Sequence, residues 1–358
     1  MNYNEAIKTT ETHLFPSILR LYGLNDYKIE LIPPHNTGAN LVYTCEKEGV
    51  DSKVIRIAFS GNRNREDFLG ETEFIRYLYE NGGNVSNVID SLDGNMIEEV
   101  IHDNHTFFIC VFEKAKGKRF PDNGYKYREG VPITEYFYNC GKVLGKLHQL
   151  AKEYSPVHRR YDYLDKYTPE YIERLIPNSL SSIKEKLFEL LKIAEKTEKN
   201  KESYGMIHSD YNDGNYNIDY ETGNITVYDF DESCFGWYML DLAQLWTNGF
   251  GWAVSEPDVN KRKKIMDEYF HMVLAGYRSE TEISNFMLEK LPLFLKIFST
   301  ETVVWEFENM KNNGEELEID EELLYRLKCL EDDIPYWGFF DKIYSCENPF
   351  EHTSSETK

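Results

Sequence analysis

The spacing of apolar residues changes near residue 113, and this change constrains the fold more than any other feature of the chain. Patterns typical of β-strands cover 27–32, 40–45, 54–58, 84–89 and 105–112. Apolar positions at helical spacing cover 133–154, 179–199, 258–277, 283–310 and 321–330. The chain is therefore expected to be an α+β protein in which strands come first and helices follow.

One helical pattern, GETEFIRYLYENGG at 70–83, interrupts the strand-rich part, which predicts a small antiparallel sheet with one inserted helix. The pattern breaks after the last of these strands, at EKAKG, and this break predicts a linker. We expect a strand-rich part at 1–113, a helical part at 114–345 and a disordered tail at 346–358.

Charge and cysteine usage exclude several classes of protein. Among 358 residues, 62 Asp and Glu outweigh 40 Lys and Arg, and a net charge of -22 argues against nucleic acid as a partner. Six dispersed cysteines contain no CxxC pair, as in a reducing compartment. Neither a signal peptide nor a membrane-spanning apolar run is evident. A cytoplasmic protein without a membrane partner is expected.

The stretch HSDYNDGN at 208–215 concentrates short polar side chains, which occur either in surface turns or around a metal and a phosphate. A strand pattern, ITVYDFD, follows at 225–231. Folding back along this strand can bring Asp210, Asn215 and Asp229 to one side of a cleft. Phosphoryl transfer needs a carboxylate that orients the attacking hydroxyl, and oxygen ligands for Mg²⁺.

The stretches HSDYNDGN, YDFDE and DLA, with LGKLH in the preceding helix, resemble the motifs of the aminoglycoside phosphotransferase and choline kinase family. The resemblance covers about 30–310 and implies a protein-kinase-like two-lobe fold. In this fold the lobe at 1–113 would bind the nucleotide, and the helical lobe at 114–345 would carry catalysis and bind the acceptor. It also implies transfer of the γ-phosphate of ATP, with GTP not excluded, to a hydroxyl with the help of Mg²⁺. By the same resemblance Asp210 is the catalytic carboxylate, and Asn215 and Asp229 are the metal ligands.

Other residues of these motifs receive supporting roles from the resemblance. His208 would brace the catalytic loop, and Asp241 would hold that loop through backbone N–H groups. Asp231 either touches a second metal or contacts only the loop. His148, in LGKLH, is expected to be a packed helix histidine.

On the nucleotide side, alternation places Ile55 and Ile57 on one face of a strand and Arg56 on the other. The family usually has lysine at this phosphate-binding position, and arginine can also bind phosphate bidentately. The alternative for Arg56 is an exposed strand residue. Its expected partner is Glu71, with Glu73 as the second choice.

Two further nucleotide contacts follow from the resemblance. Gly38, in TGANLVY, lies where a loop should cover the phosphates. The adenine is expected to meet backbone groups of the linker between Glu113 and Ala115.

The acceptor is expected to bind against the C-terminal helices. Glu301 and Trp305 lie four residues apart on one predicted helix, and an acid beside an aromatic ring suits a cationic or sugar acceptor. Ordinary core aromatics and surface acids are the alternative. Candidate acceptors are an aminoglycoside-like compound, an amino alcohol, homoserine or a sugar.

The segment between Asp229 and Asp241 has only eleven residues, too few for the long activation loop of a regulated protein kinase. This spacing favours a small-molecule kinase. A bacterial Ser/Thr protein kinase of the same fold and a non-catalytic nucleotide-binding pseudokinase are the alternatives. The oligomeric state stays unknown at this level.

Overall fold

The computed structural model describes residues 1–33, 40–59, 63–312 and 319–340. Within them the chain forms two compact units. The first unit comprises 1–116, 154–160 and 226–231. The second unit comprises 117–153, 161–225 and the described residues from 232 onward.

This division differs from a single boundary after residue 113. Two short segments, 154–160 and 226–231, belong to the first unit although they lie far along the chain. Local periodicity carries no information about such returns, because long-range contacts define them. The tail predicted at 346–358 lies outside the described residues.

The first unit contains a six-stranded antiparallel sheet in the order β1-β2-β3-β6-β4, with β5 also paired to β6. Its strands are β1 (Lys28–Leu31), β2 (Asn40–Lys47), β3 (Val50–Ala58), β4 (Val88–Ile89), β5 (Glu98–His102) and β6 (His105–Glu113). The predicted small antiparallel sheet is confirmed. The pattern at 84–89 yields only the two residues of β4, and β5 was not predicted.

Two N-terminal helices, which the sequence patterns did not predict, cover one face of this sheet. They are α1 (Tyr3–Thr9) and α2 (Phe15–Leu21), joined by one π-helical turn. A capping box between Asn2 and Glu5 starts α1, since each side chain accepts the backbone N–H of the other. Buried side chains from both helices pack against β2, β3 and β6: Ala6, Leu14, Ile18, Leu41, Tyr43, Ile55, Ile57, Phe107 and Ile109.

The opposite face of the sheet carries α3 (Arg65–Glu80). Phe68 and Leu69 of this helix are buried in one cluster with Cys110 of β6. The helix begins five residues before the predicted pattern because Asn64 and Asp67 form a capping box. It therefore lies on the face of β3 that carries Arg56.

The second unit is mainly helical, as predicted. Its helices are α4 (Ile133–Ala151), α5 (Pro169–Leu175), α6 (Ser181–Glu195), α7 (Tyr238–Asn248), α8 (Phe250–Ala253), α9 (Val259–Arg278), α10 (Asn285–Leu288), α11 (Leu291–Asn312) and α12 (Glu321–Glu331). Its short strands are β7 (Tyr204–Ile207), β8 (Tyr216–Ile218) and β10 (Cys234–Trp237). β7 pairs with β10, and β8 pairs with β9 (Ile225–Val227), where the chain passes into the first unit.

Helices α4 and α9 approach so closely that side chains would not fit at their crossing. A Cβ atom on Gly141 would lie 1.9 Å from the carbonyl oxygen of Val273. The close approach brings His148 of α4 to Tyr277 of α9, where the ring Nδ1 and the phenol oxygen are 2.8 Å apart. This contact supports the site described next.

Two general findings complete the fold. Among the described residues, no helix is both long and apolar enough to cross a bilayer. The five cysteines in the described ranges have buried side chains and form no disulfide with one another.

Candidate active site

The stretch HSDYNDGN forms the loop between β7 and β8, and α7 fixes its beginning. Asp241 of α7 accepts the backbone N–H of His208 and that of Ser209, both at 2.8 Å. Ser209 has a φ of 67°, a left-handed conformation that needs support from its surroundings. These are the backbone contacts that the predicted role of Asp241 requires.

Gln244, one turn beyond Asp241 on α7, holds the same loop. Its side-chain oxygen accepts the N–H of Tyr211 at 2.8 Å, and its amide nitrogen donates to the carbonyl of Ser209 at 2.6 Å. Sequence reasoning missed this residue. The available signal was its spacing of three from Asp241, which places both side chains on one helix face.

His148 supports Asp241 from α4. Its Nε2 lies 3.0 Å from the Asp241 carboxylate, and its Nδ1 lies 2.8 Å from the Tyr277 hydroxyl. Burial lowers the pKa of His148 and outweighs the opposing effect of Asp241. A neutral ring that carries its proton on Nε2 satisfies both hydrogen bonds. His148 is therefore packed, as expected, and it also orients the anchor of the loop.

The loop holds the carboxylate of Asp210 with two amide groups. Asn212 donates to one carboxylate oxygen at 2.8 Å, and Asn215 donates to the other at 2.7 Å. Burial raises the pKa of Asp210, while the ring of His208 and these amide groups offset part of that effect. The result is an oriented carboxylate with raised basicity, which suits proton transfer from a hydroxyl.

In the first unit, Arg56 and Glu71 form a bidentate ion pair. Nη1 and Nη2 of Arg56 lie 2.7 and 2.8 Å from the two oxygens of Glu71, and both side chains are buried. Glu73, the second choice, instead accepts the backbone N–H groups of Val157 and His158. The structure therefore pairs Arg56 with Glu71, the expected partner, and not with Glu73.

Asp231 belongs to the same network. Its carboxylate lies 3.6 Å from Arg56, accepts a hydrogen bond from Asn40 at 3.0 Å and forms an ion pair with Arg63. Burial raises the pKa of Asp231, but Arg56, Arg63 and Arg160 outweigh it and hold the pKa below its ordinary value. Asp231 is thus an ionised carboxylate among arginines.

Asp229 lies between the end of β9 and Asp231. The strand predicted at 225–231 ends at Val227, and Asp229 has a φ of 63°, which is strained for a residue with a side chain. Strained positions of this kind occur where function requires a particular side-chain direction. The assignment of Asp229 as a metal ligand stays a prediction.

The remaining nucleotide contacts are only partly described. Gly38 lies outside the described residues. Glu113 ends β6, and its N–H donates to the carbonyl of Asn87 at 2.8 Å. The contact of adenine with Glu113 and Ala115 stays a prediction.

Comparison with known proteins identifies the family. The sequence pattern of the phosphotransferase enzyme family matches 31–279, which is more than half of the chain. The chain belongs to this family. It is a phosphotransferase, and the predicted resemblance is confirmed.

Three known proteins illustrate the similarity. The amicoumacin kinase of Bacillus subtilis (strain 168) is 26% identical over 262 residues, which span 72% of this chain and 74% of that protein. The structure of the amicoumacin kinase hAmiN in complex with AMP-PNP, Ca²⁺ and Ami is 23% identical, with a TM-score of 0.79 over 94% of this chain and 97% of that one. A microcompartment-associated aminopropanol kinase is 19% identical, with a TM-score of 0.64 over 90% and 93% of the two chains.

These structural similarities confirm the predicted fold, an α+β kinase-like phosphotransferase with a small antiparallel sheet and a large helical part. A structural neighbour of less than 25% sequence identity indicates the fold of a chain and does not indicate its substrate. The acceptor must therefore be argued from the side chains of this phosphotransferase.

The predicted acceptor residues of the phosphotransferase both lie on α11 but differ in exposure. Trp305 is 49% exposed, so it is not the core aromatic of the alternative interpretation. Glu301 is mostly buried and accepts hydrogen bonds from the hydroxyls of Tyr163, at 3.0 Å, and Tyr167. Its carboxylate is therefore engaged within the second unit.

A carboxylate that sequence reasoning missed lies beside this group. Lys166 bridges Glu301, at 3.8 Å, and Glu232, at 3.0 Å. Glu232 is 40% exposed, and its charge raises the pKa of Asp210, so the two carboxylates share one neighbourhood. The available signal was its place directly after the DFD motif.

Proposed function

We propose that this phosphotransferase moves the γ-phosphate of ATP to a hydroxyl of a small molecule with the help of Mg²⁺. The observation that carries the proposal is the geometry of Asp210. Both of its carboxylate oxygens are held by amide groups, and burial raises its pKa. This is the arrangement of a base that orients an attacking hydroxyl.

In the proposed reaction, the acceptor hydroxyl donates a hydrogen bond to Asp210. As its oxygen bonds to the γ-phosphorus, the bond to the β-γ bridging oxygen breaks, ADP leaves and Asp210 takes the proton. Asn212 and Asn215 keep the carboxylate aimed at one position, so catalysis is mainly orientation. Asp241 and Gln244 keep the loop rigid during transfer.

The proposed metal ligands are Asn215 and Asp229. The amide nitrogen of Asn215 is used on Asp210, so its oxygen is the atom for a cation. The described residues contain no cluster of three or more His, Cys, Asp or Glu that could hold a metal. Two oxygen donors fit Mg²⁺, which binds through few side chains plus phosphate oxygens and water. When bound, Mg²⁺ would neutralise phosphate charge.

Arg56 is proposed to bind the nucleotide phosphates. Glu71 fixes the guanidinium bidentately, and the aromatic ring of Phe112 lies 5.2 Å below it. A guanidinium held in this way presents its remaining N–H groups in a fixed direction. Arginine can thus replace the lysine that is usual in the family.

For the acceptor we propose a small molecule that carries a positive charge near its hydroxyl. Asp210, Glu232 and Glu301 contribute three carboxylates to this neighbourhood, and Lys166 contributes a cation that pairs with two of them. The name of one structural neighbour, an aminopropanol kinase, contains an amine-bearing alcohol, which is compatible with this proposal. The carboxylates around Asp210 are the observation that favours amines over neutral sugars.

The test is ADP release from Mg·ATP, and separately from Mg·GTP, across amino alcohols, aminoglycosides, amicoumacin, homoserine, neutral sugars and one generic protein. Asp210→Asn is the matched control. Release that only the wild type shows, and only with an amine-bearing alcohol, is expected. Labelling of protein alone would favour the protein-kinase alternative, and nucleotide binding without turnover of any acceptor would favour the pseudokinase.

A further inference from the structure

Residues 154–160, here called the α3 strap, follow α4 in sequence but belong to the first unit. At the start of the strap, the ring of Tyr154 lies 4.9 Å from that of Phe74 and 4.9 Å from that of Tyr77. Both partners are residues of α3. The strap therefore begins by packing on the helix that carries Glu71.

Glu73 fastens the middle of the strap to α3. Its carboxylate accepts the N–H of Val157 at 2.7 Å and that of His158 at 2.8 Å. The ring Nδ1 of His158 lies 3.1 Å from the same carboxylate. Charge-assisted hydrogen bonds to main-chain N–H groups fix a backbone more firmly than neutral ones do.

Gly70 marks the closest approach between the strap and α3. A Cβ atom at this position would lie 2.8 Å from the carbonyl oxygen of His158 and 3.1 Å from Cγ of Arg160. A side chain of any size would therefore push the strap away. Gly70 directly precedes Glu71, so displacement here acts next to the Arg56 ion pair.

Arg160 ends the strap and is 1% exposed. Its guanidinium donates to the carbonyl of Asp67 in the first turn of α3, at 2.9 Å, and to the carbonyl of Asp231, at 2.6 Å. Burying a charge is costly unless acceptors replace water, and these carbonyls do so. One side chain thus joins α3 to the segment that carries Asp229 and Asp231.

These contacts close a ring within the first unit. Arg160 binds the backbone of Asp231, Asp231 attracts Arg56, Arg56 pairs with Glu71, and α3 leads from Glu71 back to Asp67 and Arg160. We propose that Arg160 is a positioning residue for the nucleoside triphosphate and its divalent cation. It holds Arg56 and Asp229 in a fixed mutual arrangement, and this inference rests on the proposed function.

The strain at Asp229 explains why such support is needed. A left-handed conformation at a non-glycine residue costs about 1–3 kcal/mol and persists only where neighbouring contacts hold it. The Arg160 hydrogen bond fixes the backbone two residues later. Without that bond the chain at Asp229 can relax, and the proposed metal ligand turns away from its position.

The experiment compares Arg160→Met with Arg159→Met, an exposed neighbour, in the full-length protein. Binding of Mg·AMP-PNP is measured by titration calorimetry, together with the melting temperature. Supporting residues of metal sites change affinity by about 10–100-fold, so Arg160→Met should raise the Kd at least about tenfold. Arg159→Met should change it by less than about twofold, as for surface substitutions.

Two further variants keep the test decisive if Arg160→Met does not fold. Arg160→Lys retains the charge and should restore part of the affinity, and Gly70→Ala should weaken binding by displacing the strap. A lower melting temperature with an unchanged Kd in the folded variants would overturn the positioning role. No binding of Mg·AMP-PNP to the wild type would overturn the proposed function itself, and the positioning role with it.

Discussion

Asp210 in the second unit and Asp231 in the first are both largely enclosed by protein, yet their surroundings shift the pKa in opposite directions. Amide groups hold Asp210, and burial leaves its pKa raised. Arginines surround Asp231, and they outweigh burial so that its pKa is lowered. Surroundings that shift the pKa values of two carboxylates in opposite directions are typical of carboxylates with different chemical roles.

The difference also concerns charge. Around Asp231, three arginines at positions 56, 63 and 160 face two carboxylates, Glu71 and Asp231, so these five groups sum to 3 − 2 = +1. Around Asp210, the carboxylates of Glu232 and Glu301 both form ion pairs with Lys166. The first environment suits phosphate oxygens, and the second suits a proton and a cationic acceptor.

The largest expected effect tests the role of Asp210. Asp210→Asn keeps the size of the side chain but removes its basicity, so kcat should fall by about 10²–10⁴-fold. The KM for nucleotide should change little, since the proposed nucleotide contacts lie in other residues. Steady-state kinetics with the acceptor found in the panel provide the measurement. An equal loss in nucleotide affinity would contradict the separation of tasks.

The next effect concerns Arg56. Arg56→Met leaves Glu71 as an unpaired buried charge, which should destabilise the protein by about 3–5 kcal/mol and weaken nucleotide binding. Arg76→Met, which breaks the more exposed ion pair with Asp90, is the control and should cost only about 0–1 kcal/mol for that pair. Urea unfolding and nucleotide titration measure both. Similar losses in the two variants would refute the importance of the buried pair.

A smaller effect is expected at Gln244. Gln244→Ala leaves the N–H of Tyr211 and the carbonyl of Ser209 without their partner, at a cost of about 1–3 kcal/mol for each unsatisfied group. The melting temperature and kcat should fall, while the nucleotide KM stays near that of the wild type. A variant with normal kcat would show that the loop holds its shape without α7.

The smallest effect is a pH dependence from His148. Because burial lowers its pKa in the folded state, the unfolded chain binds the proton more strongly. The contribution of His148 to the free energy of unfolding is therefore fully present above about pH 6.5. Below that pH the free energy of unfolding falls by at most about 1.4 kcal/mol per pH unit. His148→Gln should flatten this slope between pH 7.5 and 5.5 in urea unfolding. An unchanged slope would mean that His148 does not titrate with unfolding.

Local patterns in the sequence predicted much of this fold. Alternation in β3 correctly separated Ile55 and Ile57, which are buried against the N-terminal helices, from Arg56, which faces α3. The resemblance carried by HSDYNDGN and DLA implied that Asp241 holds this loop, and Asp241 accepts the backbone N–H groups of His208 and Ser209. Such features follow from one strand or one motif at a time.

Contacts between distant segments could not be predicted in this way. The carboxylate of Asp231 contacts the side chains of Asn40, Arg56 and Arg63, which lie more than 160 positions earlier in the sequence. The α3 strap packs on α3 although α4 lies between them in the sequence. Glu301 is another case, because Tyr163 and Tyr167 engage the carboxylate that the sequence pattern assigned to the acceptor. Periodicity reports which face of an element is buried and not which partner covers it.

The short chain between Asp229 and Asp241 has a consequence for how the protein can be controlled. It contains a helical turn at Phe230–Glu232, the four residues of β10 and the first turn of α7. β10 pairs along its length with β7, which directly precedes the loop at 208–215. A phosphate group switches a kinase by ordering a loose loop, and β10 is already ordered. We therefore expect the rate of phosphoryl transfer to depend on the concentrations of the protein and its substrates, and not on phosphorylation of this segment.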